Sequence, residues 1–139
     1  MSALAEKLAA GIAEMGLQVS PERQQSLSDY LALLAKWNKV YNLTAVRDPL
    51  EMVTLHLLDS LSVLSYIDGK SLLDVGSGGG LPGIVLAICL PDLQVTTIDT
   101  VQKKAIFMRQ VKGELGLGNL QVVNARVEEY EAEPFELII

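Results

Sequence analysis

The sequence predicts an α/β fold, with a parallel, doubly wound sheet that follows an N-terminal helical segment. Before Asp68 the apolar residues recur at helical spacing, whereas after Gly69 short apolar runs alternate with helical stretches. The first of those runs leads directly into a glycine-rich loop, a connection typical of doubly wound folds. We therefore divide the chain into a helical segment, residues 1–68, and an α/β segment, residues 69–139.

Three helices are predicted in the helical segment. Gly16 ends the first helix, because glycine readily adopts the left-handed conformation that closes a helix. Ser20 and Pro21 provide an N-cap and a first helical residue for the second, and Asp48 and Pro49 do the same for the third. The predicted helices cover residues 3–15, 20–39 and 48–66.

Strands and helices alternate in the α/β segment. Strands are predicted at residues 71–75, 94–98, 120–124 and 135–139, with helices at residues 84–90 and 101–115. Right-handed crossovers between such strands give one parallel sheet, in which we expect the fourth strand to lie beside the first. A Rossmann-like sheet of this kind has its ligand crevice beyond the carboxyl ends of the strands.

A glycine-rich loop, residues 76–80, follows the first predicted strand. Glycines let a ligand approach the backbone, so we predict a ligand site there that includes Gly76, Gly78 and Gly80. Asp99 ends the second strand and should project into the same crevice, where its carboxylate can accept hydrogen bonds from both hydroxyls of a ribose. A tight turn at the glycines and a helix cap at Asp99 are the structural alternatives.

The spacing of the glycines leaves the identity of the nucleotide open. Gly78, Gly80 and Gly83 also match the G-x-G-x-x-G pattern of dinucleotide sites. Asp74, within the strand, favours S-adenosylmethionine, because a carboxylate there suits a cationic amino-acid head group and would repel a pyrophosphate. Pro82 also removes a backbone N–H from the helix start, where a pyrophosphate would bind. An S-adenosylmethionine-dependent transferase is the leading hypothesis, and a nicotinamide-dinucleotide-dependent oxidoreductase is the alternative.

Composition narrows the function classes. The formal net charge of −6 argues against a protein that coats nucleic acid non-specifically, because such binding depends on excess lysine and arginine. Cys89 is the single cysteine and lies in an apolar run, so we expect a buried, unreactive thiol and neither a disulfide nor a metal site. No apolar stretch reaches the roughly 20 residues that span a bilayer, and the first residues do not resemble a secretory signal. We therefore expect a cytoplasmic protein.

Local groups of basic residues remain candidates for RNA contact. Lys36, Lys39 and Arg47 have no acidic residue between them, and the same holds for the basic residues from Lys103 to Lys112. An ordinary solvated surface is the alternative interpretation for both groups.

Four segments occur together in this chain: WNKVYNLTAVRD (residues 37–48), HLLDS (56–60), DVGSGGGLPG (74–83) and RVEE (126–129). In this combination they resemble the small-subunit ribosomal RNA methyltransferase G family, also called glucose-inhibited division protein B. The resemblance extends over nearly the whole chain. It implies transfer of a methyl group from S-adenosylmethionine to N7 of a guanine in 16S ribosomal RNA of the small ribosomal subunit.

The resemblance also implies roles for single residues. Gly76 and Leu81 would line the methionine and adenosine portions of the cofactor. Asp99 would take the ribose, and Val127 and Glu128 would flank the adenine. The last two positions agree with the predicted fold, since the loop after the third strand opens onto the same edge of the crevice.

No catalytic side chain is assigned, because N7 of guanine already offers a lone pair and loses no proton on methylation. Proximity and electrostatic preorganisation are sufficient for such a transfer. His56, the single histidine, shares a helix face with Asp59 and Ser60. A structural hydrogen bond between helix and core is one interpretation of His56, and contact with RNA or with the cofactor loop is the other.

Members of the resembled family continue past the position of Ile139 with a Ser-Arg loop and further strands. We therefore expect the chain to be a fragment that holds the first half of the methyltransferase domain. On that expectation the fourth strand is an exposed apolar edge, so the isolated chain self-associates or loses stability, and its methyl transfer is absent or greatly reduced. A non-catalytic module with a vestigial pocket is the third functional alternative, and the sequence does not determine the oligomeric state of the complete protein.

Overall fold

The computed structural model describes residues 2–76, 78–130 and 135–139. The helical segment contains α1 (Ala3–Met15), α2 (Pro21–Tyr41), α3 (Pro49–Met52), a π-helix (Val53–Leu58), α4 (Asp59–Leu61) and a 3-10 turn (Leu64–Tyr66). The α/β segment contains β1 (Ser71–Val75), α5 (Gly83–Cys89), β2 (Gln94–Asp99), α6 (Gln102–Leu115), β3 (Leu120–Asn124), a 3-10 turn (Val127–Glu129) and β4 (Leu137–Ile138).

The capping residues act as predicted. Ser20 Oγ accepts a hydrogen bond from the backbone N–H of Arg23 at 3.3 Å, and Asp48 Oδ1 accepts one from Leu50 at 3.0 Å. Gly16 closes α1 with φ of 71°. Helix α2 extends past the predicted end near residue 39, because the left-handed residue that closes it is Asn42, with φ of 52°.

The third predicted helix is not one regular α-helix. Residues 53–58 form a π-helix between the short helices α3 and α4. Helix α1 packs closely against this stretch, since a Cβ on Gly11 would lie 2.4 Å from Leu58 Cδ1. Apolar periodicity signals a helix over residues 48–66 but does not distinguish the wider π turn, which depends on this packing.

The four strands form one parallel sheet in the order β3-β2-β1-β4. Leu72 is in register with Val95 on one side and with Leu137 on the other. The predicted place of the fourth strand beside the first is therefore confirmed. Strand β4 is shorter than predicted, although Ile139 continues the ladder by donating to Leu73 O at 2.9 Å.

One hydrophobic core joins the helical and α/β segments. Every residue of α5 is buried, because this helix lies against β1 and β2 and also contacts α2. The rings of Tyr30 and Trp37 in α2 pack against Phe107 in α6, with centroid distances of 6.4 and 5.5 Å. The core is thus continuous across the predicted boundary at residues 68 and 69. No helix within the described ranges is long and apolar enough to cross a membrane.

Candidate cofactor site and a second cavity

The glycine loop adopts a conformation that requires glycine. Gly76, Gly78 and Gly80 have φ of 71°, 62° and 100°, in the region that side chains other than glycine rarely adopt. Gly83, at the start of α5, is required for a different reason, since a Cβ there would lie 2.7 Å from Asp74 Oδ2. The loop therefore turns sharply and brings the start of α5 directly onto β1.

Asp74 supports this turn from beneath the loop. Its side chain is 3% exposed, and Oδ2 accepts a hydrogen bond from the Gly83 N–H at 2.8 Å. That N–H at the start of α5 is thus already used by a carboxylate, which weighs against a pyrophosphate at this position. Because a nicotinamide dinucleotide contains a pyrophosphate, this hydrogen bond also weighs against the oxidoreductase alternative.

Asp99 lies at the end of β2, as the sequence predicts. Its Oδ2 accepts from the Gly78 N–H at 3.0 Å, and its Oδ1 accepts from the Val101 N–H at 2.8 Å, just before α6. Asp99 also lines a cavity at the carboxyl ends of the strands. The two interpretations of Asp99 are therefore compatible, because the carboxylate that caps the start of α6 also faces the cavity.

This first cavity has a volume of about 250 Å³. It brings together Gly76, Asp99, Val127 and Glu128, four of the residues predicted to bind the cofactor, and Gly78 borders it through its bond to Asp99. The rest of the wall is formed by Val75, Ile98 and Thr100, together with Ala125 and Arg126 from the loop after β3, which is predicted to open onto this edge. No prediction named Ile98 and Thr100, although their position on either side of Asp99 at the carboxyl end of β2 could have found them.

Leu81 is not in the first cavity. With Pro82 it lines a second cavity of about 300 Å³, whose other walls come from the π-helix and the residues after it, namely Leu55, His56, Asp59, Ser60 and Val63. The predicted shared face of His56, Asp59 and Ser60 is confirmed by this arrangement. A hydrogen bond of 2.7 Å joins His56 Nε2 to Thr44 Oγ1, so His56 both bonds to the loop after α2 and borders a cavity.

Tyr30, a residue of α2, reaches the glycine loop. Its hydroxyl donates to the Gly79 carbonyl at 2.6 Å, and the side chain is fully buried. Burial, together with the nearby Asp74 carboxylate, raises the pKa of Tyr30 far above its ordinary value, so the phenol stays protonated and remains a donor. The sequence does not reveal this hydrogen bond, because a tyrosine at helical spacing is equally consistent with simple packing in the core.

The basic residues differ in their surroundings. Lys36 and Lys39 are exposed on α2, whereas Arg47 donates to Asn38 O at 3.2 Å and to Asn42 Oδ1 at 2.6 Å. Arg47 thus holds the carboxyl end of α2 while part of its guanidinium faces solvent. In the other basic group, Arg109 and Lys112 donate to backbone carbonyls of β3.

Cys89 is 6% exposed, which confirms the predicted buried thiol. Burial raises the pKa of Cys89 to about 11, so the reactive thiolate is scarce at neutral pH. Within the described ranges, no group of three or more histidine, cysteine, aspartate or glutamate residues could hold a metal ion.

The fold and the site define an α/β domain of the methyltransferase type. In fold the chain is similar to an O-methyltransferase from Bacillus cereus, crystallised with SAH, at a TM-score of 0.51 and 24% identity, over 79% of this chain and 52% of that one. It is also similar to coclaurine N-methyltransferase, at a TM-score of 0.54 and 18% identity, over 97% of this chain and 46% of that one.

Sequence comparison identifies the family. The family described as rRNA small subunit methyltransferase G (GidB) matches residues 23–139, and the chain belongs to it. The chain is 68% identical over 135 residues to the Ribosomal RNA small subunit methyltransferase G of Methylobacillus flagellatus, and 57% identical over 136 residues to that of Pseudomonas fluorescens. These alignments cover 96% and 97% of this chain and 66% and 64% of the relatives, so the chain spans just under two thirds of their length.

Proposed function

We propose that this chain carries the S-adenosylmethionine site of an enzyme that methylates N7 of a guanine in 16S ribosomal RNA. The observation that supports the proposal most directly is the first cavity, where Gly76, Asp99, Val127 and Glu128 converge in a member of this family. The relatives' name supplies the ribosomal RNA substrate, and the guanine N7 position follows from the family resemblance.

The residues present fit the cofactor. Each Asp99 oxygen accepts one backbone N–H and retains capacity for a second hydrogen bond, so both ribose hydroxyls can donate to it. Ile98 and Val127 provide apolar surface for adenine. Among the described residues, no atom outside Gly76 and its chain neighbours lies within 4 Å of a Cβ position on Gly76, so a ligand can approach the backbone there.

Asp74 and Leu81 do not line the first cavity, and their proposed roles in cofactor binding are less direct. The Asp74 carboxylate is buried below the loop, where its negative charge favours a cationic head group without contact. Leu81 lies at the far end of the same loop and would contact the part of the cofactor that extends past Gly80.

When bound, S-adenosylmethionine supplies a methyl group on a cationic sulfur, and guanine N7 supplies the lone pair. This chain's residues need not move a proton. They hold the two reactants in line and exclude water, and these effects account for most of the acceleration in such transfers. RNA of the small subunit would bind to the basic group formed by Lys36, Lys39 and the exposed part of Arg47. Because ribosomal RNA is the substrate, the proposed reaction takes place in the bacterial cytoplasm.

Calorimetry on the 139-residue chain tests the cofactor. We expect S-adenosylmethionine and S-adenosylhomocysteine to bind, and NAD and NADP not to bind; the opposite pattern would replace the proposal with the oxidoreductase alternative. Methyl transfer is tested with a chimera that joins this chain to the part of the Methylobacillus flagellatus relative that it does not match. Labelled methyl incorporation into small ribosomal subunits is expected, and a chimera that binds the cofactor but transfers nothing would favour the non-catalytic module.

A further inference from the structure

We propose that the second cavity binds the purine ring of the target guanine and that Asp59 selects guanine over adenine. This inference rests on the proposed function, because it concerns the acceptor of the same methyl transfer. It begins from residues that the cofactor site does not use: the face of His56, Asp59 and Ser60 lines a cavity separate from that of Asp99.

The glycine loop connects the two cavities. Gly76, at its start, lines the first cavity, and Leu81 and Pro82, which directly follow its last glycine, line the second. A ring held in the second cavity therefore lies against the loop on which the proposed cofactor rests. Methyl transfer requires the acceptor and the cofactor to bind side by side, since the reacting atoms must approach to about 3–3.5 Å.

The walls of the second cavity suit a planar heterocycle. Leu55, Val63, Leu81 and Pro82 provide apolar surface for its faces. Two polar groups remain for its edge: in the described part of the chain, neither the Asp59 carboxylate nor the Ser60 hydroxyl has a hydrogen-bond partner. Ser60 is 6% exposed as a residue, but in the described chain the buried side-chain atom without a partner is Thr97 Oγ1 and not Ser60 Oγ, so the Ser60 hydroxyl is accessible to a ligand in the cavity.

The local backbone is also unusual at this place. Leu55 and His56 belong to the π-helix, and Asp59 and Ser60 follow it directly. Single π turns occur frequently at functional sites, because the extra residue changes where the following side chains lie. His56 is anchored by its bond to Thr44, which fixes one wall of the cavity.

A carboxylate discriminates between the two purines. Guanine presents two adjacent donors, N1–H and the 2-amino group, on its Watson–Crick edge, and a carboxylate accepts from both. Adenine presents one donor, the 6-amino group, beside an acceptor, N1, so a carboxylate gains at most one hydrogen bond there and is repelled by the N1 lone pair. Guanine N7 lies on the opposite, Hoogsteen side of the ring, so it stays accessible when Asp59 holds the Watson–Crick edge.

The test is ligand-observed NMR with GMP, IMP and AMP on the 139-residue chain, with and without S-adenosylhomocysteine. We expect GMP to bind about tenfold more tightly than AMP, with IMP between them because it lacks the 2-amino group. Asp59→Asn should weaken GMP binding by about tenfold and leave S-adenosylhomocysteine affinity unchanged. Asp68→Asn is the matched control, since Asp68 is exposed and lines neither cavity.

Each outcome separates this inference from the proposed function. Equal binding of GMP and AMP, or unchanged GMP binding in Asp59→Asn, overturns the guanine site even if the chain binds S-adenosylhomocysteine. An Asp59-dependent preference for GMP in a chain that does not bind S-adenosylhomocysteine would support the guanine site and count against the proposed cofactor.

Discussion

The hydroxyl of Tyr30 donates a hydrogen bond of 2.6 Å to the carbonyl of Gly79, which ties helix α2 to the glycine loop. Two carboxylates also fix this region: Asp74 accepts a hydrogen bond from the Gly83 N–H, and Asp99 accepts one from the Gly78 N–H. The helical segment therefore positions the candidate cofactor site, in addition to covering the core.

Tyr30→Phe should weaken cofactor binding. The substitution preserves the packing of the ring but leaves the Gly79 carbonyl without its buried donor, at a cost of about 1 kcal/mol, or roughly fivefold in the dissociation constant. Calorimetry with S-adenosylhomocysteine measures the change, and urea unfolding reports any loss of stability. Tyr66→Phe is the control, because Tyr66 is 80% exposed. An unchanged dissociation constant in Tyr30→Phe would restrict Tyr30 to a packing role.

Asp99→Ala should weaken cofactor binding by a few kcal/mol. Two charge-assisted hydrogen bonds to the ribose would be lost, each contributing about 1.5–3 kcal/mol at most, and the loop would lose its bond at Gly78. Calorimetry is again the measurement, with the exposed Asp92→Ala as control. If binding is unaffected while the free energy of unfolding falls, Asp99 serves only to hold the loop and the start of α6.

Replacement of Lys36, Lys39 and Arg47 by glutamine should flatten the salt dependence of RNA binding. Each lost phosphate contact reduces the slope of log K against log salt by about 0.7–0.9. The measurement is a salt titration with 16S ribosomal RNA and the chimera with the Methylobacillus flagellatus relative. Lys103→Gln with Lys104→Gln is the control pair on α6. Equal slopes for all variants would identify Lys36, Lys39 and Arg47 as solvated surface.

The double variant Lys36→Gln, Lys39→Gln is needed beside the triple variant. Arg47 bonds to Asn38 and Asn42, so its replacement also destabilises the carboxyl end of α2. We expect the double variant to flatten the slope without a change in the free energy of unfolding.

The 139-residue chain should self-associate through β4. This strand pairs with β1 on one side, and Ile138 and Ile139 are 65% and 47% exposed. An exposed apolar edge strand is a template for pairing with another chain. Sedimentation should show concentration-dependent association that Ile138→Lys reduces, and a monomer at all concentrations would contradict the prediction. The exposed Leu55→Lys, away from the edge, is the control.

Much of the secondary structure could be predicted because its signals are local. Ser20, Asp48 and Gly16 act through hydrogen bonds or dihedral angles of neighbouring residues, so the sequence shows them directly. The parallel sheet follows from the alternation of strands and helices, and the place of β4 beside β1 follows from the strand order expected of a doubly wound fold. The place of Asp99 follows in turn, because parallel strands end at the same edge of a sheet.

Three features could not be predicted from local patterns. The π-helix at Val53–Leu58, the bond between Tyr30 and Gly79, and the separation of Leu81 from the first cavity all depend on how distant segments pack. Residues 30 and 79 have no periodic relationship in sequence, so no pattern marks them as partners. Most of the helices and strands, and the edge at which the strands end, could be predicted from the sequence, because they depend on neighbouring residues and on the connections between consecutive elements. Close packing between α2, the glycine loop and the π-helix decided the rest, because each side chain there must fit its neighbours simultaneously.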